Sequence, residues 1–460
     1  MIRSSSVKKH KPGSENDANA VQEPSSTADL PPAYSVIDPN ASISNAVAAA
    51  IPEPVFSELK VDIRKPTELV ATREFGLDRP IYFHTNNVSS SSLIVERQVG
   101  PSSHNAVTVI AEVSSATSDI KHRCLVTMDV NNKGEYDVFV DFKWTILNAF
   151  STQCKFIMRV PAVGNIVHPG IRAEISNDHF GVGHLHHTCF EFITVQASSS
   201  YVSLTGVNAQ RINIDSSYKQ VKLVGIECHE LCVAASNASI EAISVQAAAL
   251  SDLKTTNEKV TLTDLRSPTV YAKTSNSKLV LENVTADKVD AMTSNNKLKC
   301  TSTTAGHISL KTSNSAIETE AIAADSLELI TSNSAIKGDW FIKNKLNIMT
   351  TNSKIIGTIK FKDPLAHALI NLTTSNSRID VTLPASAFCG VFDAKTSNSS
   401  VNVEWPSQLD SKESSYSYIV DTKSYKRGSV GSSKEFKHDL VAKTSNSDIN
   451  VKFVAGSIGI

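Results

Sequence analysis

The run TSNSAIETEAIAADSLELITSNSAIKGDWFIKNKLNIMTTNSKI, Thr312 to Ile355, decides the fold. Its three motif copies begin at Thr312, Thr331 and Thr350, nineteen residues apart. Five places after each start stands an isoleucine: Ile317, Ile336 and Ile355. Four and two places before a start stand apolar pairs, Ile308 with Leu310, Leu327 with Leu329, Leu346 with Ile348. Period-two alternation on both sides of a short polar motif predicts a strand entering, a turn, and a strand leaving. No helical spacing of three and four competes with it.

The same ruler extends in both directions. Motif copies start at Thr255, Thr274 and Thr293, and further back at Ala235, Ser216, Ala197 and Ile175. Later copies start at Thr374, Thr396 and Thr444, after gaps of 24, 22 and 48 residues. The fifth place is aliphatic in every copy from Ala197 onward, and Phe180 fills it in the earliest. A unit of this size cannot enclose a core alone, whereas stacked units can. The expected fold is therefore all-β: a parallel β-solenoid of 12–13 coils of about nineteen residues over 171–455. The interval of about 405–443 departs from the period and is expected to hold an irregular excursion.

Asparagine fills the third motif place in eleven of thirteen copies. Asn237, Asn257, Asn276, Asn295, Asn314, Asn333, Asn352, Asn376, Asn398 and Asn446 form the expected turn ladder. Asparagine tolerates the left-handed backbone region, and stacked amides can bond the amides above and below them. The flanking Thr and Ser hydroxyls suit local turn bonds.

These T-S-N-S-x-[ILV] copies over about 170–455 resemble the adhesin-like β-solenoid proteins of unknown function in bacteria and fungi. That family's repeat usually reads T-S-N-G-x-I, and fungal members often carry a disordered arm ahead of it. The resemblance implies a solenoid and a role in surface adhesion. This chain departs from the pattern at Ser277, Ser315, Ser334, Ser377, Ser399 and Ser447, where the family has glycine. The substitution implies that asparagine carries the difficult backbone angle here.

Residues 57–170 read as a β-rich capping domain. Leu59, Val61 and Ile63 alternate, as do Cys124 to Val130 and Tyr136 to Phe142 on either side of Asn131-Asn132-Lys133-Gly134. The latter pair predicts a β-hairpin. Residues 1–56 hold seven of the sixteen prolines and only two aromatics, Tyr34 and Phe56. They are expected to form a disordered arm, because too little apolar surface is present to offset ordering entropy.

Over all 460 residues, 45 basic side chains nearly cancel 46 acidic ones, which argues against a general nucleic-acid binder. No run approaches the eighteen or so apolar residues of a membrane-spanning helix, and no apolar stretch follows the basic start. Seven scattered cysteines fit a reducing compartment. A cytoplasmic protein is the expectation, with a peripheral membrane or cell-surface location as the alternative.

The sharpest short motif is Leu30-Pro31-Pro32-Ala33-Tyr34. Paired prolines favour the extended polyproline II form that docks between the aromatic rings of a WW domain, and the tyrosine fills a second pocket. A WW-domain protein is the expected partner, and the motif resembles the one through which HECT-type ubiquitin ligases recruit their targets. The competing reading is an incidental proline turn. His184 and His186, with His179, His187 and Cys189 nearby, are the weak metal candidate, against a bland reading as surface histidines. Cys228 and Cys232 lack redox or zinc spacing and read as buried cysteines. Aspartates at 287, 290, 325 and 393 recur at no single repeat position, which counts against a glycan lyase or hydrolase. No cofactor is expected. The sequence thus favours a non-enzymatic scaffold or binding rod. The alternatives are a carbohydrate-active β-helix enzyme and an adhesin exported without a standard signal.

Overall fold

The inward aliphatic column is the frame on which the rest hangs. In the computed structural model, which describes residues 57–98, 106–116, 119–143, 152–161, 166–406, 416–431 and 436–455, these residues are all-β. A single helical turn, Ile120–Arg123, interrupts the strands.

Successive repeats pair in parallel. The strand Ile317–Ile330 lies between Leu298–Thr301 with Thr304–Lys311 on one side and Ile336–Met349 on the other. Ile317 faces Ile336 and Ile336 faces Ile355, so the nineteen-residue offset of the sequence is the register of the ladder. All three isoleucines have no exposed surface. Every fifth-place residue from Phe180 to Ile449 is buried.

Within one repeat the inward residues change parity twice. Ile317 and Thr319 point in, then Ile322 and Ala324, then Leu327, Leu329 and Thr331. Strict alternation would have sent Ala321 inward. Its backbone instead takes a positive φ of 50°, which resets the alternation and turns the chain. Each repeat therefore offers three inward runs to one core, and that core is continuous from Leu69 to Phe453.

At the N-terminal side the ladder is closed by mixed pairing. Ile81–Asn86 pairs in parallel with both Tyr136–Phe142 and Ile171–Gly183, and Ser90–Arg97 pairs in parallel with Thr152–Val160. Glu68–Gly76 and Thr152–Val160 flank Ala106–Ser115 in antiparallel fashion. The hairpin expected across Asn131 to Gly134 forms, with Cys124–Val130 antiparallel to Tyr136–Phe142 and Gly134 at φ 77°. The alternation of Leu59, Val61 and Ile63 does yield a strand, Lys60–Lys65, but not a buried face. Val61 and Ile63 are 51% and 40% exposed on this outer strand.

At the other side the order in space departs from the order in sequence. Ala368–Thr373 and Ile379–Pro384 pair not with the next repeat but with His438–Lys443 and Ile449–Val454. Gly390–Lys395 and Val401–Glu404 lie on the far side of those strands. The last motif copy is thus intercalated between its two predecessors. An antiparallel hairpin, Tyr416–Asp421 with Tyr425–Val430, then lies against Gly390–Lys395. Trp405 stacks on Phe453 at 4.4 Å between ring centroids, and its indole N–H donates to the Tyr418 hydroxyl at 3.0 Å. The departure from period at 405–443 therefore ends before His438, which opens a regular ladder strand.

Candidate functional site

The motif corner is the most uniform surface of the molecule. In the copies from Thr255 onward the threonine that opens the motif points inward: Thr274, Thr293, Thr331 and Thr350 are at most 2% exposed. Each of these hydroxyls donates to a carbonyl in the preceding copy, Thr274 to Glu258, Thr293 to Ser277, Thr331 to Ser315 and Thr350 to Ser334, at 3.0–3.2 Å. A buried hydroxyl needs such a partner, and this one fastens each turn to its neighbour. The next two N–H groups donate to one carbonyl below, as Ser313 and Asn314 do to Ser294.

The asparagines stand outside that staple in a column. The amide nitrogen of Asn257 donates to Asn237 at 2.6 Å, Asn276 to Asn257 at 2.6 Å, and Asn295 to Asn276 at 2.8 Å. Asn314, Asn333 and Asn352 continue it at 2.8–2.9 Å. The column then follows the spatial order: Asn376 donates to Asn352, Asn446 to Asn376, and Asn398 to Asn446.

None of these asparagines has a positive φ, which corrects the expectation that they carry a left-handed backbone angle. Only the third places of the two earliest copies, Asn177 and Ser199, do so, at 62° and 55°. The left-handed residues of the repeats lie instead at a second corner, nine places after the first eight motif starts: His184, Gly206, Gly225, Ser244, Asp264, Asn283, Ser302 and Ala321, with φ between 47° and 61°. No residue-type rule finds this corner, because six residue types occupy it. Its signal is positional, one residue before the buried tenth place. At the next repeat Trp340 stands there instead, fully buried, donating its indole N–H to the Thr319 hydroxyl at 2.9 Å. Gly357 makes room, since a Cβ there would meet the Trp340 ring at 2.6 Å.

The remaining candidates do not converge. His184 and His186 lie between strands rather than on one, are exposed, and hold their ring centroids 6.3 Å apart. His179 stacks on Tyr201 instead. Among the described residues no group of three His, Cys, Asp or Glu side chains gathers as a metal site would require. Burial pushes the Cys228 and Cys300 thiols up to about 12, which keeps them protonated and poor nucleophiles. A shallow recess of about 570 Å³ crosses several repeats, with Asn208, Gln210, Glu227, His229, Arg266 and Asp287 among its lining. The Leu30-Pro31-Pro32-Ala33-Tyr34 motif lies outside the described residues. No described helix is long and apolar enough to cross a membrane.

No protein-family model matches the chain, and no curated protein matches it. A solved structure, that of a putative cell adhesion protein from Clostridium sporogenes, aligns over 87% of this chain and 100% of its own. The identity is 8% and the TM-score 0.13, so the likeness says nothing of ligand or partner.

Proposed function

We propose that the chain is a non-enzymatic binding rod: a parallel β-solenoid of the adhesin-like kind, sealed by the 57–170 region and preceded by an arm with a docking peptide. The observation that supports this reading is the asparagine column running from Asn237 to Asn398, flanked from Asn276 onward by Ser, Thr and Asn side chains alone. A surface that repeats every 4.8 Å or so offers an extended partner many equal, weak contacts, and such contacts gain strength together. Catalysis asks for the opposite, unlike groups converging on one point. Leu30, Pro31, Pro32 and Tyr34 would tether the rod to a WW-domain protein, of which a HECT-type ubiquitin ligase is one class.

The decisive comparison is adhesion to whole cells by beads coated with the full chain, or with a variant carrying Ser275, Ser294, Ser313 and Ser332 all changed to Gln, which adds bulk without stacking like charges. The rod reading expects the wild-type beads to be retained and the variant beads to be shed, with both proteins melting alike. Equal retention would remove it. Capture of the full chain by an immobilised WW domain should disappear in Tyr34→Ala, and equal capture would remove the docking peptide without touching the rod.

A further inference from the structure

The intercalated strands carry an inference beyond that reading. His438–Lys443 and Ile449–Val454 fill a slot between two repeats that precede them in sequence. The slot's two walls share one register. Ala368 and Gly390 both face His438, Thr373 and Lys395 both face Lys443, and Ile379 and Val401 both face Ile449. Each pair of wall residues is 22 apart, as are Asn376 and Asn398. With the insert withdrawn, the walls would meet as ordinary neighbours with no change of register. Phe392, Ala394 and Val401 would stack over Ile370, Leu372 and Ile379. The emptied slot therefore has a closed, well-packed alternative, and vacating it does not require unfolding the rod.

The withdrawn segment has no such alternative of its own. Leu440, Ala442, Ile449, Val451 and Phe453 are at most 1% exposed, and a lone two-stranded unit cannot bury them. The slot also distinguishes this segment from other repeats. Asp448 Oδ1 accepts the Ser399 hydroxyl at 2.5 Å, the Ser400 hydroxyl at 2.8 Å and the Ser400 N–H at 3.2 Å. No other repeat has a carboxylate at the equivalent place, which holds lysine or arginine in five of them, at Lys259, Lys278, Lys297, Lys354 and Arg378, and alanine at Ala316 and Ala335. At the opposite edge the Cys389 N–H donates to the His438 ring, and the Lys437 and His438 N–H groups donate to the Cys389 carbonyl, at 2.9–3.1 Å.

We propose that 438–454 is an exchangeable insert, and that the slot between 368–384 and 390–404 is a binding site for the same segment of a second copy of this chain. Every copy carries one insert and one slot, so reciprocal exchange forms a closed pair in which all the ladder contacts are retained. Protein concentration then decides between the single and paired states.

The test uses the full chain and a fluorescent synthetic peptide of residues 436–455. Wild type is expected to take up the peptide over hours and to form a dimer whose fraction rises with concentration. A peptide bearing Asp448→Lys should be taken up at least tenfold less, because its ammonium cannot accept the three bonds from Ser399 and Ser400. In a second protein, Asp393→Cys and Val441→Cys place two thiols on facing residues of adjacent strands, within disulfide reach. Oxidation at a dilution where the chain is single should lock the insert in its own slot and abolish both uptake and the dimer that otherwise forms on concentration, and reduction should restore them. No uptake, equal uptake of the two peptides, equal uptake by locked and reduced protein, or a chain that stays monomeric at every concentration would each overturn the proposal.

Discussion

The two corners of the repeat solve the same problem by opposite means. At the motif corner the backbone stays in ordinary regions and the side chains hold the turn. Threonine hydroxyls staple it from inside and asparagine amides join it to its neighbours from outside. At the second corner the backbone itself turns through a left-handed residue, and Gly, His, Ser, Asp, Asn and Ala all serve. A side-chain ladder requires the same residue in every repeat, since each amide must meet its like. A backbone angle requires only that its occupant tolerate the angle. Sequence uniformity therefore marks contact between repeats, and its lack does not mark a loose connection.

Both corners hang on one core, so the largest expected effect comes from attacking what they share. Ile336→Asp forces a carboxylate between Ile317 and Ile355, at a site with no exposed surface and no partner. The cost should be about 5 kcal/mol, spread over the adjoining repeats. Chemical denaturation would detect it as an early transition, and an unchanged midpoint would contradict the inward assignment.

Acid should spare both corners and act at the two ends. His168, near the N-terminal side, and His438, in the intercalated strand, are buried, and burial lowers each to about 4 from 6.5. Each Nε2 is buried without a hydrogen-bond partner among the described residues. The folded rings stay neutral while the unfolded chain takes up protons below about pH 6.5, so protonation favours unfolding. Stability should be flat above pH 7 and fall between about 6.5 and 4, by about 3 kcal/mol for each histidine over the window. His438→Gln should remove roughly half of that slope, measured as the denaturation midpoint against pH.

Asn314→Ala separates the corners directly. It deletes one donor and one acceptor from the column, since Asn314 donates to Asn295 and accepts from Asn333. The amides are exposed and water can replace part of what is lost, so the expected cost is about 1–2 kcal/mol. Asn283→Ala, at the second corner, should cost through its backbone angle and through loss of its amide bond to Asp264, and glycine should recover only the first part. If the two substitutions responded alike to glycine rescue, with Asn314→Gly as mild as Asn283→Gly, the division of labour would be wrong.

How far the sequence could be read follows from the same division. The motif spacing and the aliphatic fifth place predict burial of Ile317, Ile336 and Ile355, because those residues pair with their own kind at a fixed offset. The all-β class follows from alternation alone. The second corner was hidden because Gly206, Asp264 and Ala321 share an angle and not a chemistry. The motif points instead to the asparagines, whose tolerance for the angle is real but unused from Asn237 onward. The intercalation of 438–454 was hidden for a different reason. A TSNS copy declares that it belongs in a stack but not at which level, so the gap of 48 residues before Thr444 read as an excursion. The distinguishing residue, Asp448, gains meaning only beside Ser399 and Ser400. His184 and His186 attracted attention by proximity in sequence, yet the chain leaves its strand at Gly183 and turns them to solvent.

The smallest effect is also the cleanest, because it exchanges two residues with opposite results at one kind of position. Ala321 sits at φ 50° and Gly225 at φ 61°, in equivalent places of different repeats. An alanine there bears roughly 1 kcal/mol of left-handed strain, whereas a glycine costs about half to 1 kcal/mol through the greater freedom of the unfolded chain. Ala321→Gly should therefore leave stability unchanged or raise it by up to about 0.5 kcal/mol. Glycine in an ordinary strand position, as in Ala324→Gly, should lower it by 1 kcal/mol or more, because buried packing is lost as well. Gly225→Ala should leave stability unchanged or lower it by up to about 0.5 kcal/mol, the angle being offset by the stiffer unfolded chain, since an added Cβ meets nothing nearer than 3.8 Å. Urea midpoints at a fixed slope resolve differences of this size. A loss in Ala321→Gly matching that in Ala324→Gly would mean that the second corner is held by side-chain packing after all, and the contrast between the corners would collapse.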